Sequence, residues 1–458
     1  MKFKKIMSLC LIIGMAASLA ACGESSDSAS SDSASGSSTA AVSDLPSFDA
    51  LHIEDYTDLE ADITILTDRT DIVDTTYAEY AAEFQGQFPG ITVTYEAVTD
   101  YAEAVTLRLT NGDWGDICFI PDSVEKSELS TYFAPLGDYD TLDEIYYNMN
   151  AQTYDDTVYG IPNGGNTPGI IINKEVWAEA GIREYPTTPD EFIEALQQIK
   201  DNTDAIPLYT NFADGWPLGQ WTGYIGIPTN ADPDYAENIM PHQENPFAEP
   251  EDGDYGPYAL FSILYDAVAN DLVEEDPAST DWESSKANIG NGTIAAMVLQ
   301  SWAINQCKDL AENPEVIDYI PMPITVNGVQ AMLVNSNYCY GINCQSAEEN
   351  QLASMVYVKW LIEESSIMED EGNIPERKDQ DLPDSLANFE GLELMTNAKE
   401  EEAGLKNTVA NESEVLTDAN IAKVVEGALA GTSFDEIMDD WNQKWSDAQE
   451  YAGVEVNQ

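Results

Sequence analysis

Histidine is nearly absent from this 458-residue chain, which has two, and cations are few: 18 Lys and Arg stand against 84 Asp and Glu, a formal net charge of −66. Phosphate binding needs a basic footprint, so the deficit excludes nucleic acid as a partner. A surface this acidic also repels anionic lipid and keeps the molecule solvated. His52 and His242 leave little material for a serine or cysteine triad, and no G-x-S-x-G stretch occurs. Neither G-x-G-x-x-G nor G-x-x-x-x-G-K-[ST] is present, so no nucleotide cradle is expected, and no complete D-x-[DN]-x-[DN]-G loop marks a calcium site. Cys339 and Cys344 form a C-x4-C pair, but with two histidines this is a poor zinc signature. We expect no metal and no cofactor.

A membrane-spanning run is missing from the N-terminus as well. Lys2, Lys4 and Lys5 are followed by an uncharged stretch from Ile6 to Ala21, about 16 residues, short for a hydrocarbon core of ~30 Å at 1.5 Å per residue. Basic start, apolar middle and small-residue end outline a secretory signal over residues 1–21. It closes on Leu19, Ala20, Ala21 and Cys22. That order resembles a bacterial lipobox, which implies that Cys22 is acylated and becomes the mature N-terminus on the extracellular face of the cell membrane. From Cys22 to about residue 45 the chain is Ser, Asp and Ala with almost nothing to bury, a linker with an expected reach of ~25 to 30 Å.

About 410 residues remain, more than one core usually organises, so two domains are expected. With 43% apolar residues and nine Trp the body is globular. Once Cys10 leaves with the signal, Cys118, Cys307, Cys339 and Cys344 remain, and four cysteines allow three pairings. Cys118 sits in "DICFI", which reads as a buried strand.

The order of elements points to an α/β layer with parallel pairing. "ADITILTD" from Ala61 and "ITVTYEAV" from Ile91 alternate as strands, Thr75 to Phe88 and Tyr101 to Thr110 read as helices, and "DICFI" follows from Asp116. In "TTPDEFIEALQQIK", Thr188 is an N-cap, Pro189 opens the first turn, Glu191 completes a capping box, and Phe192, Leu196 and Ile199 share a face. A long helix is expected from about 347 to 364. The Pro- and Asp-rich segment Pro228–Pro257 reads as a surface excursion.

Paired carboxylates lose diagnostic value when 84 acids are present. The aromatics tell more. Trp216 and Trp221 lie among Gly and Pro in "DGWPLGQWTGYIG", and Trp302 stands at the exit of the apolar run "GTIAAMVLQS". Flat rings at such positions suit the C–H faces of sugars.

Several segments together resemble the extracellular solute-binding proteins of carbohydrate ABC importers, the family that includes maltose-binding protein. They are "NGDWGDICFI" from Asn111, "YGIPNGGNTPGIIINKEVWAEAGI" from Tyr159 with the "YPTTPDEF" that follows, "IGNGTIAAMVLQSWAI" from Ile289, and "VKWLIEES" with "NIPERKD". The resemblance implies a two-lobed α/β fold, periplasmic-binding-protein-like and of type II, with a ligand cleft between lobes joined by hinge crossings near Asn166, Val329 and Asn373. On that pattern the first lobe comprises residues 46–165 and 330–372, and the second 166–329 and 373–458. It implies ligand contacts from Asp68, Arg69, Asp122, Asn166, Trp216 and Trp302, to which Trp221 is added from its own setting among Gly and Pro. "GNTPG" has no acid where maltose-binding protein has a glutamate, which argues against a maltose-like ligand. The function implied is a monomeric lipoprotein that captures a sugar or oligosaccharide, delivers it to ABC importer permease subunits and does no chemistry. The other readings are a surface-anchored glycoside hydrolase and a carbohydrate-adhesion module without a transport role.

Acylation at Cys22 is tested by intact mass of the mature chain. The expected mass carries the lipid on an N-terminal Cys22 and loses it in Cys22→Ala; an unmodified Cys22 in the wild type contradicts the anchor.

Overall fold

The computed structural model describes residues 45–70, 72–121, 123–250 and 255–457. The signal, the Cys22 anchor, the linker and the expected contact Asp122 lie outside them.

Alternation in strand β1 (Ala61–Thr67) buries Ile63, Ile65 and Leu66. Helix α1 (Thr76–Gln87) stops before Pro89 and Gly90, and the chain returns as β2 (Ile91–Ala97), parallel to β1 with Ile65 opposite Tyr95. Helix α2 (Tyr101–Asn111) leads to β3 (Ile117–Phe119), which pairs in parallel on the other side of β1. The parallel expectation holds for these three strands. Strand β4 (Gly160–Pro162) follows, and the chain leaves this lobe through the short strand β5 (Gly165–Asn166).

The second lobe is built on β6 (Pro168–Asn173), buried along its whole length. Helix α3 (Pro189–Asn202) buries Phe192, Leu196 and Ile199 as its pattern requires. Its cap differs in one detail: Thr188 Oγ1 accepts from the Glu191 amide at 3.3 Å, but Glu191 Oε2 accepts from the Thr187 amide at 2.9 Å, one residue further out. After helix α4 (Gly256–Ala269) come β7 (Ala296–Gln300), helix α5 (Ala303–Leu310) and β8 (Ile317–Ile320). β7 and β8 flank β6, both antiparallel.

Strand β9 (Ala331–Leu333) is still second-lobe structure, since Leu333 packs with Ile227 and Met332 with Ile171 and Tyr319. The return crossing is therefore β10 (Asn335–Ser336), not the region of Val329, and residues 330–334 belong to the second lobe. β11 (Cys339–Ile342) then inserts antiparallel between β3 and β4, giving the order β2-β1-β3-β11-β4. Helix α6 (Glu348–Glu363) buries every residue from Ala353 to Ile362, with Trp360 against Phe84 at 5.3 Å between ring centres. Helix α7 (Ile367–Glu371) precedes a third crossing at Asn373–Ile374.

Strand β12 (Glu393–Met395), parallel to β9, and helices α8 (Leu405–Ser413), α9 (Asp418–Ala430) and α10 (Phe434–Ala452) complete the second lobe. The segment Pro228–Pro257 is not the surface excursion its composition suggests. Tyr235, Met240 and Phe247 are buried, and Phe247 meets Trp441 and Trp445 of α10 edge-on at 5.3 and 5.7 Å. Isolated apolar residues in a Pro-rich segment have no period to reveal them, yet they find partners on a neighbouring helix. Cys118 and Cys307 are buried thiols, and burial pushes both up, Cys307 to about 12. Among the described residues no helix is long and apolar enough to cross a membrane.

The three crossings meet. Asn166 of β5 stands opposite Asn335 of β10, and Gly165 exchanges two 2.8 Å backbone hydrogen bonds with Ile374. Glycine is required beside that junction, because Gly164 has φ +116° and a Cβ there lies 2.8 Å from the Asn373 side chain. Gly164→Ala is expected to cost about 1–2 kcal/mol from the backbone alone, and more from the clash. Urea denaturation measures it; an unchanged midpoint contradicts the tight junction.

Candidate functional site

The carboxyl ends of parallel β1 and β3 open on the face where the lobes meet, the usual position of a binding crevice in open α/β sheets. A cleft of about 1200 Å³ lies there. From the first lobe come Asp68, Arg69 and Ile72 after β1, Tyr77 on α1, Phe119 at the end of β3, and Ile367, Asp370 and Glu371 on α7. From the second come Gln220, Gln300 at the end of β7, Trp302, and Asn305, Gln306 and Asp309 on α5. The crossings supply Asn163, Ser336, Asn337, Tyr338 and Asn373.

The lining is unusual in its amides, with seven Asn or Gln. An amide offers a donor and an acceptor without charge, which matches the hydroxyl of a polyol. Two of these groups wait for a donor: Asn163 Oδ1 and Gln220 Oε1 are buried and have no partner among the described residues. Charges in the cleft are tied together. Arg69 Nη1 is 2.5 Å from Glu371 Oε2, and Asp370 Oδ2 accepts from Tyr80 Oη at 2.6 Å and Ser366 Oγ at 2.7 Å. Burial pushes the Tyr77 phenol up against the smaller opposing pull of Arg69, which keeps it a hydrogen-bond donor.

Aromatic surface is offered from both sides. Trp302 is backed by Trp216 at 5.8 Å and Trp282 at 6.0 Å between ring centres, and Trp216 meets Trp282 edge-on at 5.4 Å. Tyr338, 37% exposed, stacks on Phe119 at 5.5 Å with ring planes 17° apart.

Asp68, Arg69 and Trp302 thus line one cleft. Trp216 does not line it but packs behind Trp302. Asn166, 6% exposed, also sits behind the lining: its Nδ2 donates to Asn337 Oδ1 at 2.6 Å, and Asn337 Nδ2 donates to Asn373 Oδ1 at 3.1 Å. Trp221 is 3% exposed and belongs to the second-lobe core beside Tyr224, so it offers no face to the cleft. Tyr338, Phe119 and the amides were not expected. The run "NSNYCYG" is the signal for Tyr338, four aromatic and amide positions at a crossing placed too early in the sequence.

Residues 69–367 match the family described as bacterial extracellular solute-binding protein. The chain belongs to that family. Among solved structures, this solute-binding protein is similar to a manno-oligosaccharide-specific solute-binding protein of Bifidobacterium animalis subsp. lactis in complex with mannotriose, at 39% identity and a TM-score of 0.78, covering 89% of this chain and 99% of the other. That likeness fixes the fold as the two-lobed type II arrangement. It is also similar to the diacetylchitobiose binding protein DasA of Streptomyces coelicolor, 40% identical over 58 residues, and to the multiple sugar-binding protein of Streptococcus mutans, 28% identical over 155 residues. These matches span 13% and 32% of this chain, and only 12% and 35% of those relatives' own length.

Trp302→Ala is expected to weaken oligosaccharide binding about tenfold, as loss of a stacking face does. Trp221→Ala is expected instead to cost about 3–5 kcal/mol of stability. Calorimetry with each variant's melting temperature separates the two; equal affinity loss with unchanged melting temperature in both contradicts the placement.

Proposed function

We propose that this protein captures an oligosaccharide in the cleft and delivers it to the permease of an ABC importer. The observation that carries the reading is the lining itself: seven amides, unsatisfied acceptors and Trp302 around one space, which is what a polyol with C–H faces requires. The volume exceeds the roughly 300–1,000 Å³ of ordinary small-ligand sites, which favours a chain of sugars over one ring. The likeness, over 89% of this chain, to a protein solved with mannotriose makes a manno-oligosaccharide the first ligand to try. Asp68 and Arg69 are assigned to the ligand's polar edge and Trp302 to its face, and Asp122, outside the described residues, is assigned to the ligand as well; Trp216 and Asn166 support the lining from behind. Attachment to the outer face of the membrane through acylated Cys22, a signal over residues 1–21 and a monomeric state belong to the same proposal.

A glycoside hydrolase reading wants a cleft carboxyl whose proton is retained. In this cleft Glu371 is paired with Arg69 and Asp370 accepts from Tyr80 and Ser366, and the family matched is one of solute-binding proteins. The protein is assigned no chemistry.

Mannotriose at a hundredfold excess over its Kd is expected to add about 2.7 kcal/mol of stability, seen as a rise in melting temperature, with no new reducing ends on long incubation. A glycan panel that produces no shift contradicts the capture reading, and multiple-turnover release of reducing ends contradicts the absence of chemistry.

A further inference from the structure

The charge around the cleft is mostly negative. Asp68, Asp309, Asp370 and Glu371 all line it, and Arg69 is the one cation in the lining among the described residues. Arg69 is held by Glu371 at 2.5 Å, so turning it toward a ligand carboxylate strands Glu371 in the wall. Lys286, behind the aromatic cluster, has its Nζ 2.8 Å from Glu283, 5.0 Å from the centre of the Trp282 ring and 3.5 Å from Oε1 of the lining residue Gln306. Asp309 is exposed at the cleft wall, one helical repeat beyond Asn305 on α5.

We propose that the cleft rejects glycans bearing carboxylates and is restricted to those without negative charge. The inference rests on the carbohydrate reading of the cleft and adds the class of carbohydrate. A uronate differs from its parent sugar by a carboxylate at C6 in place of a CH₂OH. Each such group enters a space whose walls already hold four carboxylates, inside a molecule of formal charge −66. Amides supply hydrogen bonds to it but no compensating charge, and water is displaced as the lobes enclose the ligand, so like charges there repel more strongly than at an open surface. The molecule's overall field slows the approach of an anion in addition.

Matched pairs test this: mannotriose against trimannuronate of the same linkage, and galactotriose against trigalacturonate, by calorimetry and thermal shift in low and high salt. The neutral member of whichever pair binds is expected to be tighter than its uronate by about a hundredfold or more at low salt. The gap is expected to narrow in ~0.5 M salt, where charges are screened. Asp309→Lys is expected to narrow it about tenfold by improving uronate binding. Binding of galactotriose rather than mannotriose corrects the choice of sugar while supporting the charge restriction. A uronate that binds as tightly as its neutral partner overturns it, as does a gap that Asp309→Lys and salt leave unchanged.

Discussion

A short chain of asparagine amides holds the two lobes in register. Asn166, Asn337 and Asn373 each come from a different crossing, and two hydrogen bonds of 2.6 and 3.1 Å join them in line. Each lobe has a core of its own, around Trp360 and around Trp441 and Trp445, and further contacts flank the junction: the Tyr147 amide donates to the Glu376 carbonyl at 2.9 Å, and Asn150 Nδ2 donates to the Asn397 carbonyl at 2.9 Å. Asn337 and Asn373 also line the cleft. A ligand hydroxyl that engages them touches the hinge directly, which couples occupancy of the cleft to the angle between lobes.

Both lobes bring polar and acidic groups to the cleft, and the second adds an indole stiffened by two others. Trp302 cannot tilt freely when Trp216 and Trp282 back it at 5.8 and 6.0 Å. A preorganised platform of this kind loses little side-chain freedom on binding. Tyr338 repeats the device on the crossing side by stacking on Phe119.

Much of the scaffold was legible in the sequence because it is periodic. β1 and β2 alternate, α3 announces its start with Thr188 and Pro189, and Trp302 follows an apolar strand in a way that places it at a strand exit. The site was less legible because binding groups have no period. Gln220 and Trp221 are neighbours in one short helical turn, yet Gln220 lines the cleft and Trp221 enters the core. Gly and Pro around Trp221 mark a turn but do not say which side of it faces inward. Tyr338 was missed for a topological reason: the pairing of β9 with β12, residues far apart in sequence, keeps 330–334 in the second lobe and moves the crossing onto Asn335–Tyr338.

The most direct measurement is a crystal structure of the protein with mannotriose bound. The account places a pyranose face against the Trp302 indole at contact distance, about 4 Å, with ligand hydroxyls donating to Asn163 Oδ1 and Gln220 Oε1. Sugar bound outside the cleft, or inside it with both amide oxygens unengaged and Trp302 untouched, contradicts the account.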